Sequence, residues 1–155
     1  MRHTETGRKL SELVVETFRL NGAIINAGDA LVKDLGLTSA RWQVLSVLLY
    51  GPATVSDIAR SMGLSRQNVQ RIANRLGKDG FIAMADNPAH RRAKLCSLSK
   101  HGKETMDQVA QRQIHWANGM SDGMDPETMS IALSQMKECL RKITSSLKAL
   151  EKETS

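Results

Sequence analysis

The run from Arg66 to Arg75 carries the densest set of side chains able to recognise another molecule by hydrogen-bond pattern: Arg66, Gln67, Asn68, Gln70, Arg71, Asn74 and Arg75. A Gln or Asn amide sets a donor beside an acceptor, which matches the major-groove edge of adenine, and a guanidinium matches guanine; each such bidentate pair is worth about 1–3 kcal/mol of discrimination between bases. Val69, Ile72, Ala73 and Leu76 fill the intervening apolar positions. On a helix of about 3.6 residues per turn these fall on one side. Gln67, Gln70, Arg71 and Asn74 then point away from the core, with Arg66 and Asn68 flanking them in the first turn. Arg75 and Lys78 lie further along and read as phosphate contacts, and Ser65 is placed to cap the helix. The face holds no acid. The competing reading is a solvated helix face with no partner.

A helix that presents such a face needs a second element to hold it. Thr54 and Asp57 are spaced as a capping box, which opens a short helix over Val55 to Met62 expected to bury Val55, Ile58, Ala59 and Met62. Gly63 suits a turn that a Cβ would penalise, and Leu64 covers the corner. Ala59, Gly63 and Val69 thus occupy the small, turn and packing positions of a helix-turn-helix. Beyond Asp79-Gly80, the strand-like runs Phe81 to Asp86 and Ala93 to Leu98 flank Asn87-Pro88-Ala89-His90-Arg91-Arg92, which predicts a hairpin with a basic tip. Its candidate contacts are Asp86, His90, Arg91, Arg92 and Lys94. A narrow minor groove attracts an inserted guanidinium, and Asp86 could orient one of the two arginines. The alternative is an exposed basic loop, with His90 touching phosphate or nothing.

Charge is concentrated on the same segment. The chain of 155 residues has a formal net charge of +6. Thr54 to Gly102 holds nine bases (Arg60, Arg66, Arg71, Arg75, Lys78, Arg91, Arg92, Lys94, Lys100) against three acids (Asp57, Asp79, Asp86), which is the whole of that net charge. The flanks nearly cancel. A basic patch located in this way favours a polyanionic partner, double-stranded DNA given the helix-turn-helix.

The flanks read as helices. Leu10, Leu13, Val14, Leu20, Ile24, Ala27, Leu31 and Leu35 recur at helical spacing between Arg8 and Leu35, where Gly22 and Gly28 predict either close packing or a bend. Thr38 caps a second helix over Ser39 to Leu49, and a helical pattern resumes after Ser99 with Met106, Val109, Ala110, Ile114 and Ala117. Asp125-Pro126-Glu127 opens the last helix in the preferred order of cap, proline and acid. Along it, Met129, Leu133, Met136, Leu140, Ile143, Leu147 and Leu150 alternate spacings of four and three, a heptad that demands another helix along its length. A second copy of the chain or an intramolecular bundle would satisfy it. The expected fold is mainly α with a small β-hairpin wing: one regulator over 1–155, with a DNA-binding winged helix-turn-helix at 54–98 and dimerisation helices at 8–52 and 103–153.

Other chemistries lack a starting point. Cys96 and Cys139 fit no CxxC spacing and the first ten residues are polar, so reduced thiols in a soluble cytoplasmic protein are expected, with no membrane span. His3, His90, His101 and His115 are scattered, so no metal or other cofactor is expected. GxGxxG, GxSxG, Walker and HExxH patterns are absent from the sequence, which argues against an enzyme. Eight methionines could line an adaptable cavity, or simply fill the core.

The stretches Gly63-Leu64-Ser65-Arg66-Gln67-Asn68-Val69, Leu76 to Ile82 (LGKDGFI) and Asp86 to Leu95 (DNPAHRRAKL), closing on Leu98-Ser99-Lys100-His101-Gly102, resemble the MarR family of bacterial transcription regulators. The resemblance extends to the order of the flanking helices, two before the motif and two after the wing. It implies a homodimer with interlocked terminal helices, repression from a palindromic operator, and release by a small ligand or oxidant. It also implies that Arg91 or Arg92 is the minor-groove arginine, with Asp86 as its ion-pair partner. An effector cavity would lie between the dimer helices and the DNA-binding part, where Trp42, His115 and Trp116 are candidates and core filling is the alternative. Peroxide-sensing members carry a cysteine near the N-terminal helix, and Met1 to Gly51 holds none. A winged-helix module docking an acidic protein partner is the rival reading of the same basic face.

Overall fold

The computed structural model describes residues 2–88 and 93–153, so Ala89, His90, Arg91 and Arg92 of the expected wing tip lie outside the described residues, as does the side chain of Leu150. The chain divides into two compact units, Met1–Ile114 and His115–Ser155.

In the first unit, α1 (Glu5–Val32) begins where the Thr4 hydroxyl accepts the Gly7 N–H. A single 3-10 turn, Lys33–Leu35, and Gly36 at φ 71° close it, and Thr38 caps α2 (Ser39–Leu48) by accepting the Arg41 N–H. The two glycines of α1 differ. A Cβ on Gly28 would collide with the Ser39 hydroxyl, while Gly22 faces open space. Ser39 uses that closeness: its hydroxyl donates to the Ile25 carbonyl at 2.8 Å and its N–H to Asp29 Oδ1 at 2.5 Å.

The two-residue strand β1 (Ala53–Thr54) leads into α3 (Val55–Met62), whose capping box is fully formed. Thr54 Oγ1 accepts the Asp57 N–H at 3.2 Å and donates to Asp57 Oδ2 at 2.6 Å, while Asp57 Oδ2 also takes the Thr54 N–H. Gly63, at φ 64°, makes the turn to α4 (Arg66–Lys78), capped by Ser65. Strands β2 (Ile82–Ala85) and β3 (Leu95–Leu98) follow, then α5 (Lys100–Met120). The sheet is antiparallel in the order β1-β3-β2, with Ala53 opposite Cys96 and Met84 opposite Cys96 on the other edge.

Three local expectations are corrected. The wing is a three-stranded sheet rather than a hairpin alone, because Ala53–Thr54 adds to the edge of β3. Its long strands are four residues each: the Phe81 N–H is taken by the Leu76 carbonyl in the turn that ends α4, and Asp86 lies past the last pair, Ala85 with Leu95. Met62, expected inside, is 36% exposed, since the last turn of α3 reaches past the core that Ile58 and Ala59 fill.

That core comprises Val32, Leu37, Val44, Leu45, Leu48, Ile58, Ala59, Val69, Ile72, Ala73, Leu76, Phe81, Ile82, Cys96, Met106 and Val109. Residues from α2 to α5 therefore seat the helix-turn-helix on one apolar mass. Arg112 ties α5 back to the end of α1: it donates to the Leu31 carbonyl and grips the Asp34 carboxylate with both terminal nitrogens, at 2.5 and 2.7 Å. This fork holds the Asp34 carboxyl below its ordinary pKa.

The second unit consists of the end of α5 and α6 (Pro126–Glu153), which Asp125 starts by accepting the Thr128 N–H at 2.7 Å. The heptad stripe of α6 is exposed from Met129 through Leu147, reaching 67% at Leu140.

Candidate nucleic-acid interface

Helix α4 is buried on Val69, Ile72, Ala73 and Leu76, the side the sequence assigns to the core. Arg66, Gln67, Gln70, Arg71, Asn74, Arg75 and Lys78 are exposed, and Asn68 is half-buried at the flank. The polar side chains partner one another along the helix. Gln70 Nε2 donates to Asn74 Oδ1 at 2.8 Å, and Arg71 Nη2 donates to Asn68 Oδ1 at 3.1 Å. Both bonds join residues on adjacent turns, and each engages one donor and one acceptor of the pair it joins.

The basic residues separate into two groups. Arg75 donates to Asp79 Oδ2 at 2.9 Å; Asp79 also pairs with Arg41 at 3.2 Å, and Arg60 pairs with Asp57. Arg66, Arg71 and Lys94 form no ion pair among the described residues, so their charge is uncompensated where the helix begins and where the wing returns.

A groove of about 520 Å³ has two of the unpaired bases, Arg66 and Lys94, in its lining. Arg66, Gln67 and Gln70 line one wall, Met84, Ala93, Lys94 and Cys96 the other, and Thr54, Val55 and Ser56 at the start of α3 form its end. The sequence assigns Thr54 and Asp57 a capping role and Val55 a place in the core, and marks neither Ser56 nor Met84 for this surface; only the pairing of β1 with β3 brings the cap beside Lys94. Cys96 is 1% exposed, and burial raises its thiol pKa, which disfavours the reactive thiolate. Asp86 and Lys94 are exposed at the described ends of the wing, and His90, Arg91 and Arg92 fall outside the described residues.

None of the effector candidates lines that groove. Trp42 lines a second groove of about 310 Å³ with Ile24, Ile25, Gly28, Ser39, Gln43, Ser46 and Met62. His115 is exposed and Trp116 half-buried, both in the second unit. Among the described residues no group of His, Cys, Asp or Glu could hold a metal ion, and no helix is long and apolar enough to cross a membrane.

A capped helix pair with a three-stranded wing against its second helix defines a winged helix-turn-helix. Residues 35–93 match the family model described as the MarR family. An uncharacterised protein of Mycobacterium tuberculosis is 35% identical over 141 residues, covering 91% of this chain and 96% of its own. The transcriptional activatory protein BadR of Rhodopseudomonas palustris is 28% identical over 108 residues, covering 67% of this chain and 62% of its own. Among solved structures, reduced AbfR bound to DNA is similar in fold, with a TM-score of 0.71 at 17% identity over 90% of this chain and 97% of that one. Over residues 35–93, which hold the winged helix-turn-helix up to the start of β3, the chain matches the MarR family of transcription regulators.

Proposed function

We propose that this protein is a duplex-DNA-binding transcription regulator that acts as a homodimer, with α4 in the major groove and the wing in the adjacent minor groove. The observation that carries the reading is the acid-free exposed face of α4, which continues across a groove to Lys94 while Asp57 and Asp79 are already paired to Arg60, Arg41 and Arg75. Phosphates would then meet net positive charge, and base edges would meet amides and a guanidinium. The DNA-bound state of the similarly folded AbfR supports the same use of the fold.

The exposed apolar stripe of α6, with Leu10, Leu13, Phe18, Leu20 and Ile24 exposed on α1, supports a second copy as the partner. A two-fold dimer places its half-sites about 34–36 Å apart, one turn of duplex, and so calls for a palindromic operator. A dimer seated over a promoter would repress, and the name of BadR is a precedent for the opposite sign. The groove at Trp42 supports ligand control: it is mainly apolar, has the Gln43 amide and Ser46 hydroxyl to orient a guest, and ends on Met62, one residue before the turn at Gly63.

Selection from a pool of random duplexes, followed by binding of the recovered site at several salt concentrations, tests the proposal. A palindrome with half-sites about one turn apart is expected, with a negative salt slope that falls by about one when Lys94 becomes Ala. Recovery of no preferred sequence would refute it and favour docking to an acidic protein.

A further inference from the structure

We propose that Asn68 is a positioning residue for base recognition: its amide oxygen holds the Arg71 guanidinium in the pose that reads a guanine, so each half-site carries a G·C pair whose selection depends on both residues. The inference rests on the DNA-binding reading above and adds to it a division of labour within α4.

Three features separate the orienting residue from the reading one. Asn68 is half-buried at the side of the helix while Arg71 is exposed at the centre of the outward face. The two are joined, Arg71 Nη2 donating to Asn68 Oδ1 at 3.1 Å, and the Asn68 backbone is itself anchored, its N–H taken by the Ser65 hydroxyl at 3.2 Å. A chain of contacts thus runs from the cap to the guanidinium. The third feature is the chemistry of the partner. Arg75, one turn on, is held by the Asp79 carboxylate, which it shares with Arg41 and which offsets part of its charge and competes for its donors. Arg71 is held by a neutral amide and forms no ion pair among the described residues, so it is steered without being neutralised.

The donor count permits this arrangement. A guanidinium carries five N–H groups in a planar fork. Whichever proton of Nη2 the amide oxygen engages, one edge with two parallel N–H groups stays whole, which is what O6 and N7 of guanine require. Because Oδ1 is occupied, the Asn68 amide is fixed as an acceptor toward Arg71. Ordering a long side chain before the duplex arrives removes an entropic cost that an untethered arginine meets on binding.

The test is selection and sequencing from random duplexes with the full-length protein and four variants: R71A, N68A, N68D and the double variant N68A/R71A. Wild type is expected to enrich a G·C pair at one position per half-site. R71A should lose preference at that position by about 10- to 100-fold, and N68A at the same position by about two- to tenfold, with other positions unchanged. The double variant should be no worse than R71A. N68D keeps the acceptor, so it should retain the guanine preference while binding all sequences more weakly through its added negative charge. A shift at a different base pair in N68A would make Asn68 a reader in its own right and overturn the proposal. So would equal loss at every position, the mark of helix damage, or additive losses in the double variant. If wild type selects a site and N68A selects the same one unchanged, this inference fails alone; if wild type selects nothing, the DNA-binding reading fails with it.

Discussion

Replacing Gly102 by Ala tests the joint between wing and α5 with the smallest available change. In an open helix the substitution would stabilise by about 1 kcal/mol. At Gly102 the added Cβ would run into the Phe81 carbonyl oxygen, 3.1 Å from that carbonyl's carbon and 3.4 Å from Leu98 Cδ2. The obstacle is backbone, and it is committed: the Phe81 carbonyl accepts the Ser99 N–H at 3.0 Å and the Ser99 hydroxyl at 3.1 Å. That hydroxyl shares its proton with the Gly80 carbonyl and accepts the Gly102 N–H, so displacing Phe81 disturbs the cap of α5 and the turn that leads into β2 together. Overpacking of this kind costs about 1–3 kcal/mol and outweighs the propensity gain. Against a propensity gain of about 1 kcal/mol the net loss reaches about 2 kcal/mol, which for a chain of this length lowers Tm by up to about 4–8 °C. Gly22→Ala is the matched control, because nothing lies within 4 Å of a Cβ there; it should raise Tm by about 2–4 °C. Both are measured by circular dichroism melts at one protein concentration, since dimerisation would make Tm concentration-dependent. G102A melting at or above wild type would refute the close approach of α5 to Phe81. A loss in G22A would mean that a second chain closes over that face of α1.

Leu140→Asp places a charge at the most exposed of the described positions of the α6 stripe. If two copies pair there, each loses about 1.5–3 kcal/mol of apolar burial, and sedimentation should show a dimer of the 17.1 kDa chain become a monomer with its helix content kept. A pH dependence follows from Asp57, whose pKa lies below its ordinary 3.8 chiefly through the Thr54 hydroxyl and then the Thr54 N–H. A carboxylate depressed by folding stabilises above its ordinary pKa and stops doing so as pH falls through the folded value. Thr54→Ala should therefore cost about 1 kcal/mol at neutral pH, the usual worth of an N-cap, and less below pH 3; an undiminished cost in urea titrations at acid pH would contradict the capping box.

Much of the fold was legible because its determinants are local. Caps and stops act within one turn, so Thr54, Gly63, Ser65 and Thr38 marked helix ends that the structure places at those residues. The apolar side of α4 followed from spacing alone, and so did the outward set from Arg66 to Asn74. What stayed hidden depends on distant partners. A two-residue strand has no periodicity, and Ala53–Thr54 becomes one only because Cys96 and Leu95 arrive opposite. Glycine at 28 and 22 reads the same in sequence; only the crossing of α2 shows that one is required and the other is not.

The sequence by itself determined the winged helix-turn-helix, its charge and the side chains turned outward, because periodicity, capping and composition are properties of neighbouring residues. The tertiary structure decided which of those side chains remain available. It gave Arg75 a carboxylate from Asp79 and Arg71 an amide from Asn68, and it set Lys94 across a groove from Arg66. Each of these pairings turns on distances of a few ångströms that follow from rotamers and from strand register, and neither is written in residue spacing.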